Sequence, residues 1–278
     1  SSVSDFSNLR AKVCKDEKYG YINRFGREEI SCQFSAASDF CEGLAAVANQ
    51  QGKFGYVNRH GAVVIDLIYD FAAQPSDGLL LVKNKDRYYY LNRVGKVVIS
   101  PKWTDCGLFS SGVAPVSIYS NESYFNKALI NKKGHLITGF DFRIIETFSE
   151  GLAVAELKSI EEPHWIFINP AGKIIAKEVH LVIEEHTAGP FSEGLALASK
   201  DRLYGYIDKM GSFVIPASFC DADDFSEDLA AAMCSTSTGL WGYIDKTGSW
   251  IIKPCYYYAG KFSTGLAPVG ALIRTDNK

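Results

Sequence analysis

Several things are missing from this chain of 278 residues, and each absence removes a class of function. No apolar run approaches the roughly 20 residues that cross a bilayer, so no membrane insertion is expected. No segment reads as a signal peptide, and the chain starts at Ser1 without a Met, which is compatible with a processed or cut N-terminus. Neither sign of charge dominates. Lys and Arg number 29 against 32 Asp and Glu, for a net charge of −3, so no basic field draws the chain to nucleic acid or anionic lipid. Cys14, Cys32, Cys41, Cys106, Cys220, Cys234 and Cys255 are odd in number, widely spaced and free of any CxxC. That pattern argues against a disulfide framework or zinc site and for free thiols in a reducing compartment. No nucleophile elbow, phosphate loop, HExxH pair or glycine-rich dinucleotide fingerprint occurs. No catalytic residue, cofactor or metal is therefore assigned, and the chain reads as a non-enzyme.

What is present is a repeat. Hydrophobic residues make up 47% and charged residues 22%, as in a globular domain, and an aromatic share of 13% leans toward strands. One glycine recurs as Gly26, Gly61, Gly95, Gly134, Gly172, Gly211 and Gly248. The six steps between them cover 222 residues, a mean period of 37. A second marker follows as Gly43, Gly78, Gly112, Gly151, Gly194, Asp228 and Gly265. It lies 17 residues after the first in every unit but the fifth, where the gap is 22.

Each marker has a physical reason. Three residues before every first-marker glycine stands Asn or Asp, namely Asn23, Asn58, Asn92, Asn131, Asn169, Asp208 and Asp245. Asn or Asp opens a type I turn by bonding to the backbone two residues on, and the glycine accepts the positive φ that ends it. The second marker sits in "FSEGLA", where the Phe is expected to anchor in the core and the glycine to allow tight entry into a strand. Asp228 replaces that glycine once, and Asp is among the few residues that tolerate the left-handed region.

Each unit reads as three strands. Strand A is "WGYID", strand B the apolar segment after the turn, and strand C the "GLAAV" type. C, A and B form an antiparallel meander, and the long link from B to C is expected to lead into the next sheet. Alternation puts Trp241 and Tyr243 on one face of strand A, ready for packing between units. Glycine recurs inside strand A as Gly20, Gly55, Gly205 and Gly242. The expectation is that an aromatic from a neighbouring unit packs over that bare backbone.

The motif Trp241-Gly242-Tyr243-Ile244-Asp245-Lys246-Thr247-Gly248, followed by an apolar strand and Phe262-Ser263-Thr264-Gly265-Leu266-Ala267, resembles the WG (or KWG) repeat of bacterial proteins. The resemblance covers residues 19–269. Tyr19 and Phe54 stand for Trp in units one and two, and units three to five are degenerate, with Tyr88-Tyr89, Lys127-Ala128 and Trp165-Ile166 in place of Trp-Gly. It implies an all-β tandem repeat of about seven three-stranded units, an open superhelical array or, alternatively, a seven-bladed propeller-like ring. Residues 1–18 read as the third strand of a preceding unit and 19–278 as one β-repeat domain, the whole as one segment of a longer protein. The resemblance also implies binding rather than catalysis. With a bacterial origin, the reducing compartment is the bacterial cytoplasm, or host cytosol if the chain is secreted.

Insertions in a repeat array map to loops on one face, often the binding face. One covers residues 117–127 and carries Tyr124 together with an Asn121-Glu122-Ser123 sequon. The other lies in the fifth unit around Glu184, Glu185 and His186, with His164 and Trp165 nearby in sequence. These six are the candidate binding residues, although the His180-to-His186 spacing matches no zinc signature. The acidic run Cys220–Asp228 falls in the ordinary B-to-C link and lacks calcium-loop spacing. The runs Tyr88–Tyr90 and Tyr256–Tyr258 read as strands with two of three rings toward the core. The leading function is a non-enzymatic scaffold for a protein partner. The alternative is a carbohydrate or cell-envelope binding module, and the third is an enzyme with a pocket in the central repeats.

Overall fold

In a computed structural model, residues 2–4, 6–118, 126–158, 165–176, 190–234 and 238–270 are described. The chain divides into two compact units, Ser1–Asp141 and Phe142–Lys278. Every regular element among the described residues is a β-strand, and every strand pair is antiparallel. The fold is thus all-β and repetitive, as the glycine pattern predicts.

The second sheet shows the plan. It runs Ala36–Ala37, Leu44–Ala48, Phe54–Asn58 and Val63–Tyr69, paired in that order. The last three are strands C, A and B. The first is a two-residue strand, here called D, that the sequence does not signal, because two residues carry no periodicity. D pairs with C and turns the meander into four strands. The same plan is seen in 2–34, 71–99, 142–176 and 221–256. Strand B ends one residue before the next D in several places, as at Phe34 and Ala36, so the chain passes from sheet to sheet with almost no linker.

The first-marker turn is built as its chemistry dictates. Gly26 N donates to Asn23 O at 2.9 Å, and the Asn23 side-chain oxygen accepts from Phe25 N and Arg27 N at 2.9 and 3.1 Å. The other hairpins repeat this, down to Asp245 with Thr247 N and Ser249 N. The second marker is a two-residue type I′ turn with both central residues at positive φ, such as Glu42 (50°) and Gly43 (81°). Asp228 holds the glycine position at 65°, which its short polar side chain permits.

The cores lie between consecutive sheets. Tyr21, Ile30 and Phe34 of the first sheet pack with Ala45, Val47 and Val57 of the second. Leu44, Ala46, Tyr56 and Ile65 of that second sheet pack with Ala72, Leu80, Val82 and Leu91 of the third. Strand C is therefore covered on both faces, and all of Leu44–Ala48 is buried. This is why strand C reads as an unbroken apolar run instead of an alternation. The anchor Phe packs against the tyrosine of the preceding strand A: Tyr21–Phe40, Tyr90–Phe109, Tyr206–Phe225 and Tyr243–Phe262 have ring centroids 4.6–4.9 Å apart.

The glycine inside strand A has a different cause from the one expected. A Cβ on Gly20 would meet Ile30 O at 2.5 Å and Cys32 N at 2.7 Å; on Gly205 it would meet Ile215 O and Ala217 N at 2.5 and 2.6 Å. The neighbour is the backbone of strand B in the same sheet, not an aromatic of the next unit. Strand B bulges there: Tyr19 pairs with Phe34 but Tyr21 pairs with Ile30, so two steps on one strand oppose four on the other. Pro216 and Pro254 sit in this bulge, where a missing N–H costs no ladder bond.

Candidate binding site

The two ends of each sheet are differently finished. One carries the A–B hairpins and the type I′ turns, and side chains lace it together. The Glu42 carboxylate accepts from Gly78 N of the next turn at 3.1 Å and pairs with Arg93 at 3.7 Å. Asp77 accepts from Gly112 N at 2.6 Å and pairs with Lys132 at 3.6 Å. In the compact unit Phe142–Lys278, Glu193 accepts from Glu227 N and Asp228 N at 2.7 and 2.9 Å and pairs with Lys246 at 3.1 Å. Burial raises the Glu193 pKa, but Lys246 and the two amides outweigh it and hold the carboxyl below its ordinary value. Between sheets, Tyr21, Tyr56, Tyr90, Tyr206 and Tyr243 each donate their hydroxyl to a main-chain carbonyl 17 residues on, at 2.6–2.9 Å. The carboxylates Glu42, Asp77 and Glu193 at this end are thus each engaged by an amide and a cation.

The opposite end carries the C–A turns and the B–D junctions. The turns are Asp16–Glu17, Gln50–Gly52, Lys85–Asp86 and Asp201–Arg202. A shallow cleft of about 460 Å³ opens here, lined by Asp70, Phe71, Lys83, Lys85, Asp86 and Tyr88. Asp70 lies between strands Val63–Tyr69 and Phe71–Ala72. Its carboxylate accepts from Lys53 Nζ at 2.5 Å and Lys85 N at 2.8 Å, which together hold its pKa below the ordinary carboxylate value. Lys83 Nζ lies 5.3 Å from the Tyr88 ring centroid and 3.4 Å from Asp86. Phe71 is 43% exposed, with its ring 6.4 Å from that of Phe54.

Of the candidates read from sequence, Tyr124, His164, Glu184, Glu185 and His186 lie outside the described residues. Trp165 opens strand A of its sheet opposite Glu156 and packs half-buried against a core that includes Val154 and Phe167. Nearby, Glu156 is buried and pairs with Arg143 at 2.9 Å. The strands flanking Tyr124 (Val113–Ile118 and Asn126–Asn131) and His164 (Ala153–Leu157 and Trp165–Ile168) are C and A. Those two segments are thus C–A connections, the class that borders the cleft. The cleft residues themselves were missed. Their signal was "KNKDRYYY", a charged C–A turn among aromatics, but the exposed Phe71 comes from a strand too short to read.

The acidic run is held internally, since Lys261 pairs with Asp223 at 3.2 Å and Asp224 at 2.8 Å. Among the described residues no group of three His, Cys, Asp or Glu stands close enough to hold a metal. Tyr88 and Tyr90 share one core, as alternation predicts, whereas Tyr257 and Tyr258 are both more than half exposed. Burial pushes the Cys106 thiol up to about 12, so it is protonated and inert in the folded chain. Among the described residues no helix is long and apolar enough to cross a membrane.

A family profile described as "WG containing repeat" matches residues 19–53, 54–88, 90–120, 129–159, 204–234 and 241–270. The unit it passes over, around Gly172, still builds the hairpin, with Gly172 N donating to Asn169 O at 2.8 Å. No curated protein matches the chain in sequence. Among solved structures, one titled "Crystal structure of the eukaryotic initiation factor" is similar over 90% of this chain and 76% of its own, at 9% identity and a TM-score of 0.59. Another, "KlHsv2 with loop 6CD replaced by a Gly-Ser linker", covers 87% and 92% at 9% identity and a TM-score of 0.50. Both likenesses concern the fold alone.

Proposed function

The chain belongs to the WG containing repeat family, and from that premise we propose that it is a non-enzymatic scaffold that holds a protein partner at the C–A end of its sheets. The observation that carries this reading is the difference between the ends. At the hairpin end, carboxylates, amides and cations engage one another. At the C–A end the chain varies in length, and it is there that a cleft opens with exposed aromatic and ammonium groups. Variable loops on a rigid frame are where repeat proteins place recognition. Tyr124, His164 and Trp165 belong to this surface in the same proposal, and Glu184, Glu185 and His186 to the insertion of the fifth unit.

The test is selection of a random peptide library on the immobilised chain. Enriched peptides are then titrated against Lys85→Ala and Tyr124→Ala at the C–A end and against Phe25→Ala and Val94→Ala at the exposed hairpin tips. Affinity is expected to fall with the first pair only. Enriched peptides that lose affinity only with the second pair, or no enrichment at all, overturn the reading.

A further inference from the structure

We propose that the cleft on the third sheet, at its B–D junction and C–A turn, binds an acidic peptide segment in which a carboxylate stands beside an aromatic or large aliphatic side chain. This rests on the scaffold reading above and names the partner chemistry for one site of it. The volume of about 460 Å³ lies within the range of sites that accept side chains and small ligands. Two kinds of group are free to recognise. Phe71 and Tyr88 offer aromatic surface, which buries an apolar side chain and prefers offset or edge-on rings. The Lys85 ammonium has no carboxylate partner among the described residues, and its backbone N–H is already given to Asp70.

The acceptors are spoken for. Both Asp70 oxygens accept, from Lys53 and from the Lys85 amide. Asp86 faces Lys83 and is almost fully in solvent, where such a pair is weak and a competing carboxylate can displace it. With Lys53, which pairs with Asp70, three ammonium groups stand against the carboxylates of Asp70 and Asp86 at the opening. A neutral sugar needs acceptors for its hydroxyls and finds few here, whereas a carboxylate finds a free ammonium beside an aromatic wall. The corresponding C–A turn of the preceding sheet is Gln50–Gly52, without that charge.

The test is fluorescence anisotropy with labelled dodecapeptides of four compositions: acidic–aromatic, acidic–polar, basic–aromatic and neutral–aromatic, with an anionic oligosaccharide as a fifth probe. The acidic–aromatic peptide is expected to bind tightest and to weaken with added salt. Lys85→Glu and Phe71→Ser, both at exposed positions, are each expected to weaken it about tenfold or more without moving the thermal unfolding midpoint. Equal binding by all four peptides, binding of the oligosaccharide alone, or an acidic–aromatic peptide indifferent to both variants overturns the cleft site. If library-selected peptides still depend on Tyr124 in that last case, the scaffold reading survives and only this site falls.

Discussion

Gly20, Gly55, Gly205 and Gly242 each face a strand B of seven residues, Glu28–Phe34, Val63–Tyr69, Phe213–Phe219 and Trp250–Tyr256. In the third unit, Tyr89 holds that position, and strand B shrinks to Val97–Ile99. In the fourth unit Ala128 holds it, and strand B is a single bridge, Ile130 to Leu136. One missing Cβ therefore decides whether the edge strand can fold back over strand A as a bulge. The same degenerate units lack other links. Leu129 and Phe167 stand where the bonding tyrosines stand elsewhere, and Ser111 and Pro170 replace a ladder carboxylate and its cation.

This contrast can be broken at several points, and the largest effect is expected at the bulge. Gly205→Val drives a side chain into the Ile215 carbonyl and should cost about 3 kcal/mol or more, read as a lower denaturant midpoint. The reverse change in a degenerate unit, Ala128→Gly, removes one buried methyl and adds backbone freedom, and should cost only about 1 kcal/mol. Equal losses would show that the bulge is not what the glycine serves.

Next comes the tyrosine rung. Tyr206→Phe keeps the ring against Phe225 but leaves the Asp223 carbonyl without its hydroxyl partner, at an expected cost of about 1–2 kcal/mol. An unchanged midpoint would mean that water takes over the carbonyl.

Acid should single out the laced end. The folded chain holds the Glu193 carboxyl below its ordinary value, so it binds that proton more weakly than the unfolded chain does. The resulting stability is present above the ordinary carboxylate range and is lost as pH falls through the lowered folded value. Unfolding midpoints measured from about pH 6 to about pH 3 should therefore drop less in Glu193→Gln than in the parent chain. Parallel slopes would remove Glu193 from the acid response.

The smallest expected effect is a gain. Asn8 stands where the ladder has a carboxylate; its Oδ1 accepts from Arg59 at 2.9 Å, while its Nδ2 is turned to Phe40 O. Ser7 already donates to that carbonyl, so Asn8→Asp sacrifices little and supplies an acceptor for Gly43 N. A stabilisation of roughly 0.5–1 kcal/mol is expected, with the Asn8→Ala variant as the comparison.

Much of this protein was legible as one-dimensional text. The period, the Asn-to-Gly hairpin, the type I′ turn and the anchor Phe are local: each depends on a few neighbouring residues whose φ angles and side-chain bonds are set by their own chemistry. They recur, so the sequence by itself determined strands A, B and C, the turns that join them and the inward tyrosine of strand A. The rest is decided between strands that sit far apart in the chain. A two-residue strand D has no periodicity to read, and Gly205 answers to a carbonyl ten positions away on a bulged neighbour. The cleft at Asp70, Phe71 and Lys85 exists only because pairing of strand D with strand C brings the junction and the turn together, and side chains separated by 15 residues have no way to announce that they will share a wall.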